Sequence, residues 1–202
     1  MLKAVIFDMG GVLVRTHSRA GREQWAERLG LDSWELENLV FNGDSGRQVQ
    51  LGQKSAESHW RELGKQFGLT EAELAELRHD FFAGDALDES LLAYVDRLRE
   101  AGYRTGLLSN AGDDVRRVLT VRFPVIDYFD GVVISAEVGL MKPDPQIYRL
   151  AADSVGVKLA ESLFVDDFIE NVEGARQVGM QAIHYTHPAK TQRELVELTG
   201  VV

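Results

Sequence analysis

The 202-residue chain has no cysteine, which excludes disulfides, thiolate zinc sites and cysteine nucleophiles and accords with a reducing compartment. Any metal must sit on oxygen or imidazole. Positive charge is scarce too: 22 Lys and Arg face 32 Asp and Glu, a net of −10. Such a balance speaks against non-specific binding to nucleic acid or to an anionic membrane surface. An anionic substrate would need a local positive element. Long hydrophobic runs are also missing. The first apolar stretch, Met1 to Phe7, is too short for a signal-peptide core or a membrane span and stops at Asp8, so a soluble cytoplasmic protein is expected. There is no internal repeat, low-complexity tract or Pro/Ser-rich linker, and the length fits one sizeable domain or a domain carrying a large insertion, but not two full α/β domains.

Four short runs rich in β-branched or other apolar residues, Ala4 to Phe7, Thr105 to Leu108, Val132 to Ile134 and Leu163 to Val165, are bounded by polar or turn residues as buried parallel strands are. Gln181 to Tyr185 is a fifth candidate. Between them, Ser90 to Ala101, Asp113 to Val121, Pro145 to Val155 and Ile169 to Val178 have helical spacing. This alternation predicts an α/β fold, a parallel sheet with helices on both faces.

About a hundred residues separate the first strand from the second, far more than a usual connection in such folds. Residues 19–30, 33–41, 55–67 and 70–82 show helical periodicity there, and Thr70 with Glu73 forms a capping box. The expected division is a sheet core of residues 1–15 and 87–202 with an all-helical insert, residues 16–86. Trp25, Trp34 and Trp60, at helical spacing with other apolar residues, are expected in its core. Gly43 to Arg47 and Gly52 to Lys54 read as loops between helices. Arg47 and Gln48 are candidate substrate contacts if these loops face the sheet, and part of a solvated hinge if they do not.

In an open parallel sheet, ligands bind beyond the carboxyl ends of the strands. There the chain carries Asp8-Met9-Gly10-Gly11, Ser109-Asn110 and Asp166-Asp167. Carboxylates crowded at the ends of apolar strands repel one another and lose hydration, a cost that a hard divalent cation with oxygen ligands removes. Mg²⁺ at Asp8 and Asp167 would also attract a phosphate oxygen. Lys142, just after the third strand, would add the local positive charge. Ser109, Asn110 and the N–H groups that follow are suitable neutral donors to phosphate oxygens. Bland roles compete with these: a turn carboxylate for Asp8, a helix N-cap for the Asp166-Asp167 pair, a surface lysine and a simple turn for the others.

Taken in order, Asp8-Met9-Gly10-Gly11-Val12-Leu13, Leu108-Ser109-Asn110, Lys142-Pro143 and Asp166-Asp167 with Asn171 resemble the motifs of the haloacid dehalogenase-like superfamily of hydrolases over essentially the full chain. They look most like the branch containing glucose-1-phosphatase and the phosphatase-type domain of soluble epoxide hydrolases. The resemblance implies a Rossmann-like core, a helical cap inserted after the first strand, Mg²⁺ and an aspartyl-phosphate intermediate. It implies Asp8 as nucleophile, Ser109 and Lys142 as holders of the phosphoryl oxygens, and Asp167 as a direct Mg²⁺ ligand. Asp166 would support it, the main-chain carbonyl of Gly10 would complete the protein ligands, and Asn171 would stand behind them. The expected partner is a small phosphorylated metabolite such as a sugar phosphate, bound by a monomer or homodimer.

One position departs from the pattern. Phosphatases of this superfamily usually carry a second Asp two residues after the nucleophile, as acid and base for the leaving oxygen; here that residue is Gly10. Water or a neighbour such as His17 would have to supply the proton, the substrate would need a good leaving group, or turnover is lost and a phospholigand-binding or regulatory protein remains. A 2-haloacid dehalogenase would not need the Asp166-Asp167 pair, and a phosphonatase would need a desolvated lysine where the insert offers only Lys54 and Lys65. His184, in the uncertain last strand, reads as structural.

Overall fold

The computed structural model describes residues 1–202. Seven strands form: β1 (Ala4–Phe7), β2 (Val14–Thr16), β3 (Asp85–Leu87), β4 (Arg104–Ser109), β5 (Gly131–Ile134), β6 (Ser162–Asp166) and β7 (Gln181–His184). The helices are α1 (Ala20–Leu29), α2 (Ser33–Glu37), α3 (Asp44–Gln50), α4 (Ala56–Gln66), α5 (Glu71–Ala83), α6 (Glu89–Glu100), α7 (Val115–Arg117), α8 (Ser135–Val138), α9 (Pro145–Ser154), α10 (Ile169–Gln177) and α11 (Pro188–Thr199). None is long and apolar enough to cross a membrane.

Five strands build one parallel sheet in the order β5-β4-β1-β6-β7. Every residue of β1 is buried, and alternation divides its side chains between two cores. Val5 and Phe7 join a cluster with Tyr94, Val95 and Leu98 of α6 and Leu195 of α11. Ala4 and Ile6 join Ile147, Tyr148 and Ala151 of α9 on the other face. The result is the expected α/β sandwich. Local signals set the helix starts: Asp88 accepts the Leu91 N–H, and Asp144 accepts the Gln146 N–H ahead of Pro145 at the first helical position.

Residues 20–83 are helical and bury a third cluster, in which Trp25, Leu36, Val40, Trp60, Leu77 and Phe81 meet. The Thr70–Glu73 capping box is present. An antiparallel ribbon, β2 with β3, joins both ends of this segment to the sheet. Arg22, buried in the segment, ties it to the ribbon: its guanidinium donates to Phe81 O, Thr16 Oγ1, Asp85 Oδ1 and Glu37 Oε1.

Four expectations need correction. Of residues 43–47, only Gly43 lies outside a helix; α3 begins at Asp44. Gly46 is required by close packing, as a Cβ there would come within 2.8 Å of the Phe41 and Val40 backbone. The helix expected over 33–41 stops at Glu37 and continues as a wider turn over Asn38–Asn42. That expected over 113–121 shrinks to α7 plus a wider turn over Val118–Arg122, where β-branched Val115, Val118, Thr120 and Val121 disfavour a regular helix. Trp34 is 65% exposed, and the Arg19 guanidinium lies 4.0 Å from its ring. The β2–β3 ribbon and α11 gave no signal strong enough to be read.

Leu98, fully buried, holds α6 to the sheet. Leu98→Ala is expected to cost about 2–5 kcal/mol of stability, measured by urea unfolding; a loss within experimental error would contradict the packing described.

Candidate active site

Because β1 pairs with both β4 and β6, the carboxyl ends of these three strands lie side by side. Asp8 follows β1, and its N–H donates to Val165 O at 2.8 Å, continuing the ladder. Ser109 closes β4, Asp166 closes β6, and Asp167 follows it. Lys142 enters from the loop between α8 and α9.

Lys142 is 2% exposed. Its Nζ donates to Asp8 Oδ1 at 2.8 Å, Asp166 Oδ2 at 2.6 Å and Leu108 O at 3.2 Å, so all three ammonium protons are engaged. Asn110 clasps the Lys142 main chain: its Nδ2 donates to Lys142 O at 3.0 Å and its Oδ1 accepts the Lys142 N–H at 2.8 Å. Asp166 is fully buried and saturated, accepting from Lys142, from Asn171 Nδ2 at 3.1 Å on each oxygen, and from the Phe168 N–H at 2.8 Å. Asn171 is held in turn through its carbonyl, which accepts from the Tyr148 hydroxyl at 2.7 Å.

Asp8 is asymmetric. Its Oδ1 accepts from Lys142 and from the Met9 N–H at 2.7 Å, whereas Oδ2 has no partner in the chain. Asp167 Oδ1 is buried without any hydrogen-bond partner. The Asp167 carboxylate lies against Gly11, where a Cβ would sit 2.1 Å from Oδ2; Gly11 also has a φ of +76°, so a side chain there is barred twice.

Carboxylate oxygens from Asp8, Asp166 and Asp167 all lie within 4.8 Å of one another. Burial pushes the Asp8 carboxyl up to about 8, opposed by Lys142 and reinforced by Asp166 and Asp167. Burial and Asp166 likewise push Asp167 up to about 6. Burial works against the charge on Lys142, yet Asp8 and Asp166 outweigh it and hold the ammonium above its ordinary value. One lysine thus faces three carboxylates. An orphaned buried carboxylate oxygen, excess negative charge and an all-oxygen donor set fit a hard divalent cation.

Among the other candidates, Ser109 is buried at the edge of this cluster with a hydroxyl that makes no hydrogen bond within the chain. Gly10 is exposed, and a Cβ on it would meet nothing within 4 Å. His17 is exposed beyond β2, linked only by its N–H to Gly84 O, and takes no part in the network. Arg47 and Gln48 are exposed on α3, also outside it. The helical segment touches the loop after β4, where Ala56 N–H donates to Asp113 Oδ1 at 2.9 Å and Arg78 pairs with Asp114 at 2.7 Å. Tyr148 has no role assigned from the sequence, and His184, read there as structural, has its Nε2 3.0 Å from Asp167 O. Only the register placing His184 opposite Asp166 reveals its proximity to Asp167.

The profile of the haloacid dehalogenase-like hydrolase family matches residues 2–179. A sesquiterpene phosphatase of Aspergillus oryzae is 29% identical over 98% of this chain and 97% of its own length. A phosphatase of Mycobacterium tuberculosis is 30% identical over 96% of this chain and 92% of its own. Pig bifunctional epoxide hydrolase 2 is 28% identical over 99% of this chain, which spans 39% of that longer protein. A predicted HAD-like hydrolase from Porphyromonas gingivalis superposes with a TM-score of 0.76 at 25% identity, covering 97% and 98% of the two chains. A HAD enzyme of Bacteroides thetaiotaomicron, solved with magnesium and inorganic phosphate, shares the fold with a TM-score of 0.75 at 21% identity, over 91% of this chain and 93% of its own. With its strand-end carboxylates, buried lysine and parallel sheet, the chain belongs to the haloacid dehalogenase-like hydrolase family.

Proposed function

We propose that the chain is a Mg²⁺-dependent phosphomonoester hydrolase acting on a small metabolite through an aspartyl-phosphate on Asp8, with residues 16–86 as a cap over a core of residues 1–15 and 87–202. The asymmetry of Asp8 carries this reading: one carboxylate oxygen is clamped by Lys142 and the Met9 N–H, and the other is free.

Asp8 Oδ2 attacks phosphorus, with the Ser109 hydroxyl donating to a phosphoryl oxygen and Lys142 supplying fixed positive charge beside it. The three Lys142 protons are already engaged, so it acts chiefly as a charge, and Asn110 serves by holding its backbone. The alcohol leaves with a proton drawn from water, because residue 10 has no carboxyl. Water then attacks the phosphorus of the acyl phosphate, its proton neutralising the hydroxide left by the first step, which releases phosphate and restores the Asp8 carboxylate. Asp8, Asp167 and the Gly10 carbonyl would hold Mg²⁺, with the saturated Asp166 behind them. Such an ion relieves repulsion among the carboxylates and polarises a phosphoryl oxygen.

The motif resemblance favours a sugar phosphate. Phe168 and Ile169, 60% and 41% exposed directly after Asp167, also suit an apolar leaving group, and the likeness to a sesquiterpene phosphatase points the same way. A second reading rests on Gly10: without the usual acid, the site would bind a phospholigand without turning it over. Hydrolytic dehalogenation is disfavoured because it gives the Asp167 carboxylate no purpose.

A panel of sugar, alkyl and isoprenoid monophosphates should be hydrolysed with Mg²⁺, and activity should fall to background in EDTA or with Asp8→Asn. Activity indifferent to both would sink this reading. Stability should respond to pH as well. Above the ordinary carboxylate range, folded Asp167 up to about 6 and folded Asp8 up to about 8 retain protons that the unfolded chain has lost, so cation-free stability falls as pH rises through this window. The Tm gain from Mg²⁺ over EDTA should therefore widen from about pH 5 to about pH 8; a gain independent of pH would place the cation elsewhere. Because the space at Gly10 is open, Gly10→Asp should raise kcat on alkyl phosphates by about a hundredfold or more, with little gain on p-nitrophenyl phosphate, whose leaving group needs no acid. Absence of turnover in both forms would favour the binding reading.

A further inference from the structure

The Asp167 main chain lies just past the end of β6. The last ladder bond between β6 and β7 runs from the Tyr185 N–H to Asp166 O at 2.8 Å, which leaves the Asp167 carbonyl with no strand partner. The half-buried His184 side chain fills that role, with Nε2 3.0 Å from the carbonyl oxygen. A carbonyl only accepts, so Nε2 carries a proton. The Asp167 peptide is thus gripped from β7, while its carboxylate rests against the side-chain-free Gly11 turn with Oδ1 buried and unpartnered. Nothing else bonded to this residue from outside its own segment fixes the direction of that carboxylate.

We propose that His184 is a positioning residue: by donating Nε2–H to the Asp167 carbonyl, it aims the Asp167 carboxylate at the divalent cation. This rests on the reading of Asp167 as a cation ligand. The imidazole does not touch the cation. It acts through the peptide, as groups behind a metal ligand do, and their loss typically weakens metal affinity about 10- to 100-fold. His184 stands at the end of an edge strand, where a change of side chain leaves both hydrophobic cores intact.

The test is Mn²⁺ affinity by calorimetry, without substrate, for the unmodified chain, Asp167→Asn, His184→Phe and His184→Gln. His184→Phe keeps a ring but has no donor; the Gln amide restores one. The expected result is that Asp167→Asn abolishes binding, His184→Phe weakens it about tenfold or more, and His184→Gln recovers most of the loss. Wild-type affinity in His184→Phe together with loss in Asp167→Asn would overturn the role of His184 and leave the ligand reading standing. Full affinity in Asp167→Asn would overturn the ligand reading, and the proposal with it. A measurement needing no variant supplements these: ¹⁵N shifts of the His184 ring in the neutral state should report the Nε2–H tautomer, and the Nδ1–H tautomer would overturn the proposal.

Discussion

A lysine ammonium with almost no access to water survives as a charge only if every proton finds an acceptor and opposite charge stands close by. Lys142 meets both conditions, through Asp8, Asp166 and Leu108 O, and the surrounding architecture follows from that demand. Asp166 gives up any free lone pair to hold it. Asn110 fixes its main chain, which ties the end of β4 to the loop before α9. Asn171 and Tyr148 buttress Asp166 from α10 and α9. Four separated stretches of the chain are thereby pinned to one ammonium group. Removing it would leave two buried carboxylates facing each other, which costs far more than the loss of an exposed ion pair.

The parts legible in the sequence were those governed by local or near-local rules. Apolar runs ending in Asp, Ser or Asp-Asp identify β1, β4 and β6, because a buried parallel strand has little other way to be written, and the residues closing them mark the edge that carries the candidate site. What lay hidden depends on partners. Nothing in the dipeptide Asp166-Asp167 says that one carboxylate is saturated and the other orphaned. Asn110 has the composition of a phosphate donor yet bonds to Lys142, and the choice is made by a loop thirty-two residues away. Gly46 reads as a helix breaker, although in α3 it permits close contact with the Val40 and Phe41 backbone. Trp34 has helical spacing but not a place in the core.

Two kinds of contact between the helical segment and the rest of the chain differ in what they constrain. Every partner of Arg22 lies in the segment or in the β2–β3 ribbon, so these bonds are indifferent to how the segment is placed over the sheet. The contacts of Ala56 with Asp113 and of Arg78 with Asp114 bridge directly to the loop after Ser109 and Asn110. They are few and partly solvent-exposed, and so weak compared with the buried network around Lys142.

The central place of β1 bears on how the molecule comes into being. Ala4 pairs with Arg104 on one side and Ser162 on the other, so the first strand made is among the last to gain both neighbours. Large loops must close before that sheet is rewarded, a topology associated with slower folding than one of local contacts. Asp8, Lys142 and Asp166 are therefore dispersed and solvated throughout the early part of that process. Their mutual repulsion and attraction are felt together, when the two halves of the sheet meet.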